Sequence, residues 1–233
     1  MDKPLDRQSP FAFIVGAPRC GTTTLASFLQ QHPDVCFSAV KEPHFFSRDE
    51  VAALPEGEIE RVVAEEYWQR FFAHCESEPK LCAEGSVTYL YVPERMAPIL
   101  KIWPNAKFVI ALRDPLSMLP SLHARLLVTG DETIRDFPTA WAKIAERAQG
   151  RGVPKRAVDP RWLRYDWAGQ LGRNVERFIA AVGRERCHIV LFDDLTSDPQ
   201  GTYRNLCRFL GIEPFAATNF EPQRINKTIR IGW

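Results

Sequence analysis

Near-continuous apolar runs at residues 11–16, 106–112 and 187–192, and a shorter one at 35–37, are bounded by turn-forming or charged residues. Runs of that length without polar alternation predict strands buried on both faces. Helical periodicity fits 21–31, 60–75, 93–102, 115–128, 135–148, 161–182 and 199–210. Strands alternating with helices predict an α/β fold, a single-domain parallel sheet flanked by helices over residues 1–233. Such sheets bind ligands beyond the carboxyl ends of their strands. The two junctions to examine are therefore Gly16 to Thr23 and Arg113 to Pro115, with polar excursions at 47–60 and 149–160 as bordering loops.

Gly16 and Gly21 bracket four residues, Ala17-Pro18-Arg19-Cys20, between the first strand and the first helix. That spacing suits a loop whose backbone N–H groups, with the positive helix end, cradle a phosphate. The nucleoside-triphosphate version places Lys directly after the second Gly and then Ser or Thr for magnesium. Here Thr22 and Thr23 follow Gly21, and the cation is Arg19. A P-loop nucleotide kinase-like phosphotransferase is the alternative reading. It lacks that Lys, and the strand at 106–112 runs into Arg113 instead of a magnesium-holding Asp.

Gly-Ala-Pro-Arg-Cys-Gly-Thr-Thr-Thr-Leu resembles the 5′-phosphosulfate loop of sulfotransferases that use 3′-phosphoadenosine 5′-phosphosulfate (PAPS). Lys41-Glu42-Pro43-His44-Phe45-Phe46 and Phe108 to Pro115, with Ser121 following, extend the resemblance in order along most of the chain. It is to the heparan-sulfate-type and bacterial branch, and it implies a P-loop-like sulfotransferase fold with PAPS as co-substrate and PAP as product. In this reading Arg19, Cys20, Gly21, Thr22 and Thr23 hold the 5′-phosphosulfate. Arg19 is the cation at the leaving phosphate. Glu42 is the base that takes the acceptor proton, with His44 the alternative, and Lys41 holds the sulfonate or orients Glu42. Arg113 and Ser121 bind the 3′-phosphate, while Asp114 caps the helix that Pro115 opens. The tail with Lys227, Thr228 and Arg230 resembles the segment covering the adenosine and its 3′-phosphate.

Two departures from the family pattern stand out. Glu84-Gly85 occupies a segment that often reads Glu-Lys in the heparan-sulfate enzymes, so Gly85 removes a cation and Glu84 either contacts substrate or braces the loop. The chain also stops at Trp233, where relatives continue. Both make a non-catalytic nucleotide-binding homologue the second alternative.

Composition narrows the partners. A formal charge of +1 over 233 residues excludes a strongly basic nucleic-acid binder and argues against a long polyanionic acceptor. That leaves a small-molecule or carbohydrate acceptor. No apolar run has the length of a membrane span, and Met1 to Pro10 reads as neither signal nor anchor. Six cysteines without a C-x-x-C pair predict a reducing, cytoplasmic setting, with Cys36, Cys187 and Cys207 as core residues. His32, His74, His123 and His188 have no metal-ligand spacing, so no metal is expected.

Overall fold

The computed structural model describes residues 10–55, 57–75 and 79–221. These group into two compact units, one running to Leu112 and resuming at Asn174, the other spanning Arg113–Arg173.

The first unit is built on a five-stranded, all-parallel sheet in the order β2-β3-β1-β4-β5. The strands are β1 (Phe11–Gly16), β2 (Val35–Phe37), β3 (Leu81–Gly85), β4 (Lys107–Leu112) and β5 (Cys187–Leu191). Four of them match the apolar runs, and the fully buried β1 lies at the centre. β3 was not predicted, because Glu84 and Gly85 interrupt its apolar run. Phe11 and Phe13 share one face through the two-residue period of a strand and stack at 4.6 Å. Trp103 lies 4.4 Å from Phe11, and Phe108 lies 5.7 Å from Phe13. Tyr67, Phe46 and Tyr89 complete this aromatic layer.

Helices fill the intervals in chain order. The first unit holds α1 (Thr22–Gln30), α2 (Asp49–Ala52), α3 (Ile59–Val62), α4 (Gln69–Phe72) and α5 (Ala97–Ile102). The helix expected at 60–75 is continuous in path, but its middle, Val63–Trp68, is wound as π-helix. The second unit carries α6 (Pro115–Thr129), α7 (Phe137–Ala142), α8 (Ile144–Arg147) and α9 (Tyr165–Ala168). Then come α10 (Leu171–Val182), α11 (Phe192–Ser197) and α12 (Pro199–Leu210). The single helix expected over 161–182 is instead a 3-10 turn (Pro160–Leu163), α9 and α10. Non-helical backbone at Arg164 and the break at Gly169–Gln170 account for the interruption. The strand expected to reach 192 stops at Leu191, and the acidic turn after it is the helix α11.

Cys36 corrects the cysteine reading. It is bonded to Cys75, 39 residues away, so at least one pair is not a set of reduced core thiols. The argument from unpaired cysteines to a reducing cytoplasm loses its premise. Cys36, His74 and Cys75 do bring three metal-ligand atoms within 4.8 Å of one another. Both sulfurs are committed to the bond, and His74 Nε2 lies 3.1 Å from the Phe37 carbonyl, so the cluster reads as a covalent clasp on β2.

The second unit is anchored by an ion pair with both side chains at 0% exposure, Arg147 on Glu132, with N–O distances of 2.7 and 2.8 Å. The Tyr165 hydroxyl and the N–H groups of Thr133 and Ile134 also donate to Glu132. Burial alone would raise the Glu132 pKa, but the guanidinium and these donors hold it below its ordinary value.

Two outcomes follow from these anchors. Cys75→Ser should lower the unfolding free energy by about 2–4 kcal/mol in urea titrations, and reductant should have the same effect on the parent chain. Arg147→Met leaves the buried Glu132 carboxylate without its cation and should cost about 3–5 kcal/mol. Because the folded Glu132 pKa is depressed, its contribution is present above the unfolded value near 4.5 and fades as pH falls through the folded one.

Candidate active site

The turn after β1 is shaped by its glycines. Gly21 has φ +90°, and a Cβ there would sit 2.5 Å from Leu195 Cδ2, so no other residue fits without displacement. Gly16, at φ +143°, would meet Leu90 Cβ and the Val87 carbonyl at 3.0 Å. The first intrahelical bond of α1 comes from Leu25 to Gly21, and no side chain caps the helix. The N–H groups of Thr22, Thr23 and Thr24 therefore have no partner inside the helix. By contrast, Asp114, Asp136 and Asp198 cap α6, α7 and α12. With no acidic residue in its first turn, α1 presents a positive head suited to an anion. Arg19 adds its charge from a half-buried position at φ 65°. The Cys20 side chain is fully buried and donates to the Pro18 carbonyl at 3.4 Å, so its backbone is the part placed toward a ligand.

β3 ends beside this loop, with Gly85 opposite Ile14 of β1. The Gly85 N–H donates to the Lys41 carbonyl at 3.1 Å, and Ser38 N–H to the Ala83 carbonyl at 2.8 Å. The segment carrying Lys41, Glu42 and His44 is thus laced onto the end of the sheet. Glu42 lies between two nitrogen groups: one carboxylate oxygen contacts Lys41 Nζ, and the other lies 3.3 Å from His44 Nε2. Burial pushes the Glu42 pKa up. The His44 hydrogen bond and the Lys41 charge outweigh that and bring it down to about 2.

A chain of hydroxyls decides which His44 nitrogen carries hydrogen. Ser47 Oγ donates to the His44 carbonyl at 2.8 Å, so Thr88 Oγ1, 3.0 Å away, must donate to Ser47. Thr88 then accepts from His44 Nδ1 at 2.9 Å. Nε2 is left facing Glu42, and that contact closes as a hydrogen bond only when a proton lies between them. His44 itself has φ 52°, and its N–H donates to Ser86 Oγ at 2.9 Å. Ser86 in turn donates to the fully buried Glu84 at 2.7 Å. Burial drives the Glu84 pKa up to about 7, with Ser86, the tyrosines and His44 only partly opposing it. Ser47, Ser86 and Thr88 were not singled out from the sequence.

Arg113 and Ser121 belong to the second unit. Arg113 follows Leu112, the last residue of β4, and Ser121 lies on α6, both half-exposed. Asp114 caps α6 as expected, accepting from the Leu116 and Ser117 N–H groups at 3.3 and 3.1 Å. Lys227, Thr228 and Arg230 lie outside the described residues. His32 and His123 are bound to backbone carbonyls, and His188 stacks on Phe209.

Comparison with known proteins gives a consistent picture. A model of the sulfotransferase family matches residues 10–81 and 39–217. The chain is 30% identical to a sulfotransferase structure from Alicyclobacillus acidocaldarius, covering 92% of this chain and 85% of that one with a TM-score of 0.75. It is 26% identical to mouse heparan sulfate glucosamine 3-O-sulfotransferase 3A1 over 89% of this chain and 47% of the relative. The chain therefore spans about half the length of that curated relative. The mouse sulfotransferase SULT7A1, solved in complex with PAP, shares the fold at 14% identity and a TM-score of 0.51, over 89% of this chain and 60% of that one.

The buried Glu84 carboxyl has a measurable signature. Its folded pKa lies above the unfolded value, so its stabilising contribution is full below pH 4.5 and lost as pH rises through about 7. Unfolding titrations of the parent chain and Glu84→Gln across pH 4–8 should show a difference growing by roughly 3 kcal/mol over that window.

Proposed function

The chain belongs to the sulfotransferase family, and on that footing we propose that it transfers a sulfuryl group from PAPS to an acceptor hydroxyl or amine. The observation that carries the reading is the meeting of two features at one edge of the first unit's sheet. One is the uncapped head of α1, and the other is an ionised carboxylate between Lys41 and His44. The donor set suits a phosphosulfate: N–H groups and threonine hydroxyls at the helix head, with Arg19 as a fixed cation. The PAP complex of a protein sharing the fold supports the same nucleotide here.

In this reading the transfer is direct and in line. The acceptor oxygen forms a bond to sulfur while the bond from sulfur to the bridging 5′-phosphate oxygen breaks. The electron pair stays on that oxygen, and the acceptor proton goes to Glu42. Arg19 and the Thr22 and Thr23 N–H groups bear the charge on the leaving phosphate. Arg113 and Ser121 are assigned to the 3′-phosphate, where a guanidinium gives a bidentate contact. Lys227, Thr228 and Arg230 are assigned to the adenosine end.

At a pKa of about 2, Glu42 is too weak a base while both neighbours hold it. Lys41 is the movable partner, a compact charge on a flexible stem. Turning its ammonium toward the transferring sulfonate frees one Glu42 oxygen. The acceptor proton is taken up on that freed oxygen, while His44 Nε2 stays in contact with the other.

Calorimetric titration with PAP should show binding that is independent of magnesium and stronger than for ATP. Arg113→Ala should weaken it by at least roughly tenfold. Glu42→Gln should leave PAP binding intact and lower sulfation turnover by about 10²–10⁴-fold. Loss of PAP binding in Glu42→Gln would overturn its placement as the base.

A further inference from the structure

Glu84 is a carboxyl in an aromatic layer, fully buried at the Phe13 register of the sheet. One of its oxygens, Oε1, has no hydrogen-bond partner among the described residues, and neither does the nearby Tyr67 hydroxyl. A core that needed only volume here would carry an apolar side chain, because an incompletely satisfied carboxyl is costly. The other oxygen, Oε2, accepts from Ser86 at 2.7 Å. Ser86 has one proton, and its lone pair must face the His44 N–H to accept from it at 2.9 Å. An acceptor on the far side of the hydroxyl is what sets that rotor.

We propose that Glu84 is a positioning residue for the proton-accepting turn. Through Ser86 it holds the His44 N–H, and so fixes the left-handed turn that sets His44 against Glu42. The inference rests on the sulfotransferase reading only for its consequence in turnover; the hold itself is a property of the fold. The position of His44 has little slack. Its φ of 52° is unusual for a residue with a side chain, and its contacts leave it little room: Ser86 on the N–H, Ser47 on the carbonyl, Thr88 on Nδ1 and Glu42 on Nε2. Ser86 is the one that holds the backbone N–H. Without an acceptor at position 84 the hydroxyl turns freely and the strained turn relaxes.

Several titratable groups face this carboxyl. Tyr67 comes from the π-helical segment, Tyr89 from the turn after β3, and His44 from the charged turn. Both tyrosine pKa values are raised, first by burial and then by the Glu84 charge, so the tyrosines stay protonated. They stay neutral, whereas burial leaves the Glu84 carboxyl at about 7.

Amide exchange at His44, read by NMR on the full labelled chain, tests the hold directly. Glu84→Gln keeps an acceptor at the same reach and should retain protection. Glu84→Met and Ser86→Ala should each speed exchange by at least roughly tenfold, and the double variant should add little more. PAP affinity in these variants should stay within about threefold of the parent, because the α1 head is untouched. Where turnover is measured, kcat should fall in Glu84→Met at unchanged donor KM and be rescued in Glu84→Gln. If Glu84→Met does not fold, Glu84→Asp, one methylene shorter, withdraws the carboxylate from Ser86 and should show the same acceleration. Unchanged His44 exchange in the Met or Asp variant would overturn the proposal, as would single effects that multiply in the double variant. Failure of the parent chain to bind PAP would count against the sulfotransferase reading and leave the exchange result standing.

Discussion

The backbone bond from the Gly85 N–H to the Lys41 carbonyl ties the charged turn of the first unit to the end of its sheet. Gly85 ends β3 opposite Ile14, two residues before the glycine that opens the phosphate-type loop. A segment 44 residues away in sequence from Gly85 is thereby fixed beside the head of α1. Parallel pairing makes this possible, because β1 and β3 end at the same edge and release their loops there. Neither partner of the bond is a charged side chain. Lys41 and Glu42 are placed by a main-chain bond that does not depend on their side chains, so the turn's chemistry can vary while its place stays fixed. Gly85 illustrates the point: a Cβ there would make only ordinary contacts, at 3.5 Å or more. A lysine at that position, common in the heparan-sulfate branch, is therefore not excluded by the backbone.

Two carboxylates near the same histidine are driven in opposite directions. Glu42 is partly exposed and lies between Lys41 and His44, which carry it to about 2 despite its burial. Glu84 has no cation in contact among the described residues, so burial dominates and leaves it at about 7. Such a split sorts like groups into unlike roles, one held ionised and the other able to stay neutral. His44 links them, with its ring toward Glu42 and its backbone toward Glu84 by way of Ser86.

The sequence revealed the parts governed by local pattern. Apolar runs located β1, β2, β4 and β5, and the glycine spacing located the loop, while the Lys41–His44 turn was pointed to only by its resemblance to the sulfotransferase motif. β3 escaped because the residue that matters most in it is a buried acid, which breaks the apolar run. α11 escaped because Asp193 and Asp194 read as a turn, although acidic residues suit a helix's first turn. The Cys36–Cys75 bond joins a strand to a polar segment with no spacing signal. The His44 tautomer depends on Ser47 and Thr88, 41 residues apart, and no one-dimensional pattern relates them.

On the proposed reading, the resting geometry ties base strength at Glu42 to donor occupancy. A free carboxylate near its ordinary pKa would be ready to take a proton whether or not a sulfonate were present. Glu42 is instead held near 2 by contacts with Lys41 and His44, and Lys41 can change partners without moving the backbone, since its carbonyl remains on Gly85. His44 cannot change partners so easily, being pinned at its N–H and at Nδ1. The asymmetry assigns the motion to the lysine and the reference position to the histidine. A rigid Glu84–Ser86–His44 brace then has a purpose beyond stability. On the proposed reading, when Lys41 lets go Glu42 still has one fixed partner, which keeps its freed oxygen in place to take the acceptor proton.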